Sequence, residues 1–203
     1  QINPHFLYNT FETMRGIALS EHNEKVADIV KNISEFMRYN MYGADGSTSL
    51  QMELQHVTNY IRIMDYRFDD KIRLTMEIPE QMRALSMPKF TLQPIVENAL
   101  LHGIMMKEEK KGTILLTGWR EENDIVFVIS DDGAGIPPEK LDSLLDERTQ
   151  AAVGSSSRHV GVSNTNLRLK SLYGSGYGLS FTSVPGQGTE VTVRIPAQEE
   201  EEF

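Results

Sequence analysis

The sequence predicts an α+β fold, in which a helical N-terminal segment precedes helices packed on one face of a largely antiparallel sheet. Apolar residues recur at helical spacing as far as about residue 70, and beyond it short strand-like runs alternate with helical stretches. The chain has 203 residues, 39% of them hydrophobic, which is enough to bury a core in one domain or in two small ones.

Three amphipathic helices are predicted before residue 70, because polar breaks at 20–24 and 42–49 separate three series of regularly spaced apolar residues. The series are Leu7, Phe11, Met14 and Ala18; Val26, Ile29, Ile33 and Met37; and Leu50, Leu54, Val57, Ile61, Met64 and Phe68. The last series alternates steps of four and three, a narrow seam that helices use against each other. A segment this short would bury its stripe better against a second copy, so we expect residues 1–70 to form a dimerisation segment of a homodimer.

Residues 71–203 combine strand-like and helical stretches and form the second predicted domain. Strands are predicted at 72–78, 112–119, 124–130, 176–184 and 188–195, and helices at 90–102, about 137–146 and 162–173. The polar turn "REEN" joins the second and third strands as a hairpin. Residues 147–160 are small, polar and weakly patterned, which is typical of a mobile loop.

Composition excludes several classes of function. The chain has no cysteine, so it has no disulfide, thiolate nucleophile or cysteine-bound zinc. Its net charge of −9 and the acidic run at 199–202 argue against direct binding of nucleic acid through a basic surface. A small nucleotide site remains open, because backbone N–H groups and a metal can build one locally. No run approaches the roughly 18 apolar residues that span a bilayer, so we expect any membrane anchor to lie outside this sequence.

Three short motifs in the second half of the chain contain residues that could bind a ligand or take part in a reaction. They are "PIVENALLHG" at 94–103, "DDGAGI" at 131–136 and "PGQGTEVTV" at 185–193. On a helix, Asn98 and His102 share a face four residues apart, and Asp131 follows a strand where it could stand at the rim of a pocket. Each motif alone also has an ordinary interpretation: a solvated helix face, an Asp-Gly turn and a glycine turn into a strand.

Together these motifs resemble a known family. "VENALLHG", "DDGAGI", "HVGVSNTNLRL" at 159–169 and "GQGT" resemble, in order and spacing, the N, G1, G2 and G3 boxes of the GHKL-type ATP-binding domain shared by histidine kinases, gyrase, Hsp90 and MutL. "QINPHFLYNT" at 1–10 resembles the phosphoacceptor motif of LytS-like (YehU/YesM-like) sensor histidine kinases. "YIRIMDYRF" at 60–68 is similar to the helical segment that precedes their ATPase domain.

The resemblance implies a fold, an activity and partners. It implies a two-layer α/β sandwich of the GHKL type after the helical segment, with a lid at about 145–160. It also implies ATP and Mg²⁺, autophosphorylation of a histidine and transfer of the phosphoryl group to an aspartate of a response regulator. The chain would then be the cytoplasmic, N-terminally truncated core of a bacterial membrane receptor.

The resemblance also implies roles for individual residues. Asp131 would accept a hydrogen bond from the adenine amino group, Asn98 would bind Mg²⁺, and Glu97 would orient the metal's water or the incoming imidazole. Glycines would let the backbone approach the nucleotide or turn sharply, and Asn164 would meet phosphate near the start of a helix. The implied nucleotide-binding residues are Asn98, His102, Asp131, Gly133, Gly135, Gly161, Asn164, Gly186, Gly188 and Thr189.

His5 is the implied phosphoacceptor, and Asn9, four residues later on the same helix face, would position it. Without the resemblance, His5 would be interpreted as an exposed histidine at a helix start. The other histidines are interpreted as structural: His22 in a loop, His56 on a helix surface, His102 in a pocket wall and His159 in the lid.

Two positions depart from the family pattern and bear on nucleotide affinity. His159 stands where the second glycine box usually begins with glycine, and Asp132, where relatives often have Asn, adds a negative charge near a phosphate site. Two alternatives to the kinase therefore stay open: a catalytically weak ATP-binding dimeric regulator or scaffold, and an ATPase of the gyrase or Hsp90 kind.

Overall fold

The N-terminal part of the chain is helical. A computed structural model describes residues 4–41, 46–139, 141 and 160–197. Helices α1 (Pro4–Ser20) and α2 (Glu24–Met41) form a hairpin, and α3 (Leu50–Arg67) packs against α2. Asn23 and Ser49 cap α2 and α3, because their side-chain oxygens accept hydrogen bonds from backbone N–H groups in the first turn. The three predicted helices are therefore present.

A five-stranded, largely antiparallel sheet forms the second part, as the sequence predicts. Its strands are β2 (Ile72–Glu77), β4 (Gly112–Glu121), β5 (Asp124–Asp131), β6 (Gly178–Val184) and β7 (Gly188–Pro196). They lie in the order β2-β4-β5-β7-β6. Strand β2 pairs parallel to β4, and the other three pairs are antiparallel. The parallel pair is possible because a helical crossover connects its strands.

A second, two-stranded sheet falls where the sequence predicts only a break. Strand β1 (Ser47–Ser49) pairs antiparallel with β3 (Ser86–Pro88), and Thr48 lies opposite Met87. The predicted break at 42–49 is therefore wrong at its C-terminal end, while residues 42–45 lie outside the described residues. Three residues with small polar side chains carry too little periodicity to reveal a strand.

One hydrophobic core joins α3 to the sheet. Its buried members include Leu54, Val57 and Ile61 of α3 together with Phe127 of β5 and Val193 of β7. Alternate residues of β4 are buried from Gly112 to Gly118, as expected of a strand with one face against a core, and in β5 Val126 is buried in addition to the alternate residues. The boundary between two domains at residue 70 stays a prediction. In the structure, α3 shares this core with the sheet.

Between β3 and β4 the chain forms a helix with an unusual C-terminal end. Helix α4 (Gln93–Asn98) continues into one π-helical turn (Ala99–Gly103) and then a 3₁₀ turn (Ile104–Met106). A π turn holds one extra residue per turn and rotates the side chains that follow it. The sequence predicts a helix at 90–102 but not this change of geometry.

Helix α5 (Val160–Tyr173) packs against α4 and β6 and confirms the last predicted helix. Residues 138, 139 and 141 are helical, but most of the predicted helix at 137–146 and the lid at 145–160 lie outside the described residues. Within the described part of the chain, none of the helices has both the length and the apolar character needed to cross a bilayer.

Candidate functional site

Two adjoining cavities open between α4, β5 and α5. The β5 cavity, of about 270 Å³, is lined by Asn98, His102, Gly103, Met106, Asp131, Ala134, Gly135, Ile136, Pro137 and Thr189. The α4 cavity, of about 310 Å³, is lined by Pro94, Glu97, Asn98, Leu101, His102, Gly161 and Val162. Asn98 and His102 line both, so the two cavities meet at the end of α4 and the π turn that follows it.

Asp131 is the buried acid of the β5 cavity, at the last position of β5. Its Oδ1 accepts a hydrogen bond from the Gly133 N–H at 2.8 Å, and the Thr189 backbone also hydrogen-bonds to it. Burial raises the pKa of this carboxyl to about 6, against the lowering effect of these two hydrogen bonds. A buried acid at a cavity wall is a strong acceptor that retains capacity for a ligand donor.

Glycines surround Asp131 because no side chain fits there. A Cβ on Gly103 would lie 2.4 Å from Asp131 Oδ1, and a Cβ on Gly133 would lie 2.4 Å from the same oxygen and from the Gly103 backbone. At Gly188, with φ +118°, a Cβ would lie 1.9 Å from the Asp131 carbonyl oxygen. The predicted glycines Gly133 and Gly188 therefore hold the acid in position and do not themselves line either cavity.

The loop after β5 is tied to the β6–β7 hairpin. Ala134 donates its N–H to the Gly103 carbonyl at 3.0 Å and accepts from the Gly186 N–H at 2.7 Å. Gly135 has φ +69°, and a Cβ there would lie 2.2 Å from the Val184 carbonyl oxygen. Both glycines are predicted site residues: Gly135 lines the β5 cavity, whereas Gly186 acts through its hydrogen bond to the loop.

Asp132 faces away from both cavities. Its Oδ1 accepts the Thr113 N–H at 2.9 Å and lies 3.5 Å from the Lys107 Nζ, on the side of the sheet formed by β2 and β4. The departure from the family pattern at this position therefore places a paired carboxylate outside the cavity. Its remaining effect is a through-space contribution that raises the pKa of Asp131.

His5 and Asn9 lie together on α1, apart from the cavities. The Asn9 Nδ2 is 3.2 Å from the His5 Nδ1, which agrees with the predicted shared face, and both residues are exposed. Neither residue lines the β5 or the α4 cavity, and the same is true of Asn164, which is exposed on α5. The structure thus gathers Glu97, Asn98, His102, Asp131, Gly135, Gly161 and Thr189 around the cavities and leaves His5, Asn9 and Asn164 outside them.

The histidine at 56 is not on a helix surface. His56 is buried in α3, stacked between the rings of Phe36 and Tyr39 at centroid distances of 4.6 and 4.1 Å. Its Nε2 lies 2.7 Å from the Gln93 Oε1, while its buried Nδ1 has no hydrogen-bond partner among the described residues. Burial lowers the pKa of His56 to about 4, so the ring is neutral and donates from Nε2.

Apolar residues of the cavity walls were not predicted from the sequence. Ile136 and Pro137 directly follow the glycines of the second motif, and Val162 follows Gly161, so adjacency to a glycine motif was the available signal. No sequence signal pointed to Met106. It lines the β5 cavity because the 3₁₀ turn that follows the π turn places it there.

Two protein families match this chain. The family model described as "Histidine kinase" matches residues 1–72, and that described as "Histidine kinase-, DNA gyrase B-, and HSP90-like ATPase" matches residues 88–199. The second match includes every residue that lines the two cavities.

Curated relatives and solved structures resemble the chain over most of its length. It is 32% identical to the sensor protein LytS of Staphylococcus saprophyticus over 100% of this chain, and 28% identical to the sensor histidine kinase BtsS of Escherichia coli K12 over 98%. The chain spans about a third of each relative, 33% in both cases. The structure of full-length ShkA in complex with AMPPNP aligns with a TM-score of 0.54 at 16% identity, over 97% of this chain and 45% of ShkA. At this identity the likeness to ShkA supports the fold alone.

Proposed function

The chain belongs to the histidine kinase-, DNA gyrase B- and HSP90-like ATPase family, and we therefore propose that it is the catalytic core of a sensor histidine kinase. In this proposal ATP phosphorylates His5, and the phosphoryl group then passes to an aspartate of a response regulator. Supporting it are the match of residues 1–72 to the histidine kinase model and the likeness to sensor histidine kinases over almost the whole chain.

The observation that carries the proposal is the buried acid of the β5 cavity. The Asp131 carboxylate can accept the amino hydrogen of adenine, and guanine would instead turn a carbonyl oxygen toward it. A buried acceptor that faces another acceptor costs roughly 1–3 kcal/mol, so the cavity favours ATP over GTP. The phosphates would extend past Asn98 and His102 into the α4 cavity, which Gly161 and Pro94 also line.

The side chains of Asn98 and Glu97 suit a magnesium ion that arrives with the nucleotide. Within the described residues no group of three or more acids and histidines could hold a metal alone. The Asn98 amide oxygen fits a hard cation that takes its other ligands from phosphates and water, and Glu97 would orient one of those waters. When bound, Mg²⁺ would neutralise charge on the phosphate oxygens.

His5 supplies the nucleophile in the proposed reaction. A neutral imidazole nitrogen attacks the γ-phosphorus, the N–P bond forms and the bond from that phosphorus to the β,γ-bridging oxygen breaks, which releases ADP. Asn9 would orient the ring through its amide. Because His5 lies outside both cavities, α1 and the cavity-bearing part must approach each other, within one chain or between two, before transfer.

The same proposal includes the partners and the setting of the whole receptor. We propose a homodimer formed by the helical segment, a response-regulator receiver domain as phosphoryl acceptor, and an upstream membrane sensor region that places this core in the bacterial cytoplasm. The length of the relatives, about three times that of this chain, leaves room for such a region.

Labelling with γ-labelled ATP and Mg²⁺ tests the proposal. We expect acid-labile, base-stable label on the wild-type chain, none on His5→Ala, and unchanged label on His22→Asn. His22 is a matched control because it is an exposed histidine in the turn that follows α1, and Asn tolerates its φ of +54°.

Three results would contradict the kinase. Label that survives in His5→Ala would place the phosphoacceptor elsewhere. Nucleotide binding without label would indicate a regulator or scaffold, and steady release of inorganic phosphate that does not need His5 would indicate an ATPase of the gyrase or Hsp90 kind.

A further inference from the structure

Glu53 is a fully buried acid of α3 that neither cavity uses. Its Oε1 accepts the Leu92 N–H at 2.9 Å, its Oε2 accepts the Phe90 N–H at 3.0 Å, and the Tyr39 hydroxyl donates to the same Oε2. A buried carboxylate is costly unless donors surround it, and here backbone and side-chain donors do so. The turn at 90–92 is therefore held by an acid from a different helix.

This turn sets the start of the helix that carries the site. The Leu92 carbonyl accepts the N–H groups of Ile95 and Val96 at 3.2 and 3.1 Å, which begins α4. Glu97 and Asn98 follow within the same short helix. A shift of Leu92 would be passed to these two side chains, because Leu92 begins the helix and Glu97 and Asn98 lie within about two turns of it.

Helix α2 reaches the same turn in two further ways. The Lys89 Nζ donates to the Tyr39 carbonyl at 3.2 Å and lies 4.3 Å from the centre of the Tyr39 ring. The Tyr39 ring also stacks on His56, which binds Gln93 in the first turn of α4. Tyr39 thus contacts Glu53, Lys89 and His56, three residues that each bond to the segment at 89–93 or belong to it.

We propose that Glu53 is a positioning residue for the nucleotide site, and that Tyr39 holds it so that the packing of α2 controls the geometry of α4. The inference rests on the proposed function in one respect, namely that Glu97 and Asn98 meet nucleotide and metal. The coupling would act through successive hydrogen bonds. The Tyr39 hydroxyl donates to the Glu53 carboxylate, which accepts the Leu92 N–H, and the Leu92 carbonyl accepts the first N–H groups of α4. By linkage, nucleotide bound at α4 would in turn favour this packing of α2.

The chain contains a matched control for this contact. The Tyr66 hydroxyl of α3 donates to the Asp28 Oδ2 of α2 at 2.7 Å, so it too is a tyrosine–carboxylate bond between α2 and α3. Among the described contacts, neither Tyr66 nor Asp28 bonds to the segment at 89–93. Each hydroxyl makes a hydrogen bond between α2 and α3. Only the Tyr39 hydroxyl is also connected, through Glu53, to the start of α4.

Hydrogen–deuterium exchange on the full 203-residue chain without nucleotide tests the coupling. We expect Tyr39→Phe to raise amide exchange across 90–98 by about tenfold, and Tyr66→Phe to leave that segment unchanged. Glu53→Gln, which keeps one acceptor oxygen, should raise exchange in the same segment. Circular dichroism and thermal unfolding establish that each variant is folded before exchange is compared.

A second readout connects the coupling to the site. Calorimetry with a non-hydrolysable ATP analogue and Mg²⁺ should show about tenfold weaker binding for Tyr39→Phe than for Tyr66→Phe. Equal exchange at 90–98 in the two tyrosine variants, or equal affinity, would overturn the proposal. A wild-type chain that bound no nucleotide would instead overturn the proposed function, and the exchange comparison would still decide the coupling.

Discussion

At the scale of single residues, the state of Asp131 links stability to pH. Its pKa rises to about 6 mainly through burial, whereas an unfolded aspartate has a pKa near 3.8. Below about pH 4 the carboxyl is protonated in both the folded and the unfolded chain and does not affect stability. Between about pH 4 and 6 the unfolded chain ionises first, so the folded chain loses stability as pH rises.

We predict that replacing Asp131 by Asn removes this loss. Relative to wild type, the free energy of unfolding of Asp131→Asn without nucleotide should increase by up to about 3 kcal/mol between pH 4 and pH 7, because a folded pKa about two above the unfolded value corresponds to that energy. Urea unfolding at a series of pH values measures the difference. The same variant should lose most of its affinity for ATP.

His56 makes the comparison between variants necessary. Its pKa of about 4 lies below the unfolded value of 6.5, so this group costs stability as pH falls through the same range. The two slopes oppose each other in the wild-type chain. A difference between wild type and Asp131→Asn that stayed constant from pH 4 to pH 7 would contradict the raised pKa of Asp131.

At the scale of elements, the π turn after α4 brings the Gly103 backbone against Asp131. The pattern of residues 94–103 is helical, and a π turn has no distinct local signature. It is decided by a long-range contact, since Gly103 must lie against an acid 28 positions later in the chain. The sequence therefore singled out Asn98, His102 and Asp131, which line the β5 cavity, but it did not reveal the geometry that brings them together.

We predict that Gly103 tolerates no side chain. Gly103→Ala should lower the free energy of unfolding by about 1–3 kcal/mol, because its Cβ would lie 2.4 Å from Asp131 Oδ1. Gly161→Ala is the matched control: the nearest atom is 3.5 Å away, and alanine favours the helix that contains it. Denaturant titration compares the two, and an equal loss in both would contradict the close contact at Gly103.

The sequence predicted the buried apolar residues of α3 but not its buried polar ones. The apolar seam identified Leu54, Val57 and Ile61, and all three are in the core. Glu53 and His56 lie on the same helix and are as deeply buried, but a hydropathy pattern assigns polar residues to solvent. Their partners, Leu92 and Gln93, are some 40 residues away, so only the folded chain shows why burial is tolerated.

At the scale of the whole molecule, α1 leaves large apolar side chains in solvent. Phe6, Met14 and Ile17 are 64, 49 and 58% exposed and lie on one side of the helix, which is the arrangement expected of a surface that packs against a second copy. The predicted homodimer would bury this side.

We predict that polar residues on this side weaken self-association. The double variant Met14→Ser with Ile17→Ser should raise the dissociation constant of the dimer at least tenfold, because each buried apolar side chain contributes about 1.5–3 kcal/mol. Leu172→Ser is the control, since Leu172 of α5 is also 58% exposed but lies far along the chain. Analytical ultracentrifugation measures both, and a wild-type chain that stays monomeric, or a control that dissociates equally, would contradict this interface.

The core that α3 shares with the sheet has a consequence for how such chains can be recombined. A fragment cut at residue 71 would lose Leu50, Leu54 and Val57 and leave a gap where they pack, whereas a cut ahead of β1 would keep α3 and remove the α2 rings that stack on His56. A chimaera that joins a different N-terminal segment to this core is therefore best made at the link between α2 and β1. A chimaera joined there would inherit α3 together with the sheet and both cavities, and it would have to supply its own aromatic side chains to replace Phe36 and Tyr39 of α2.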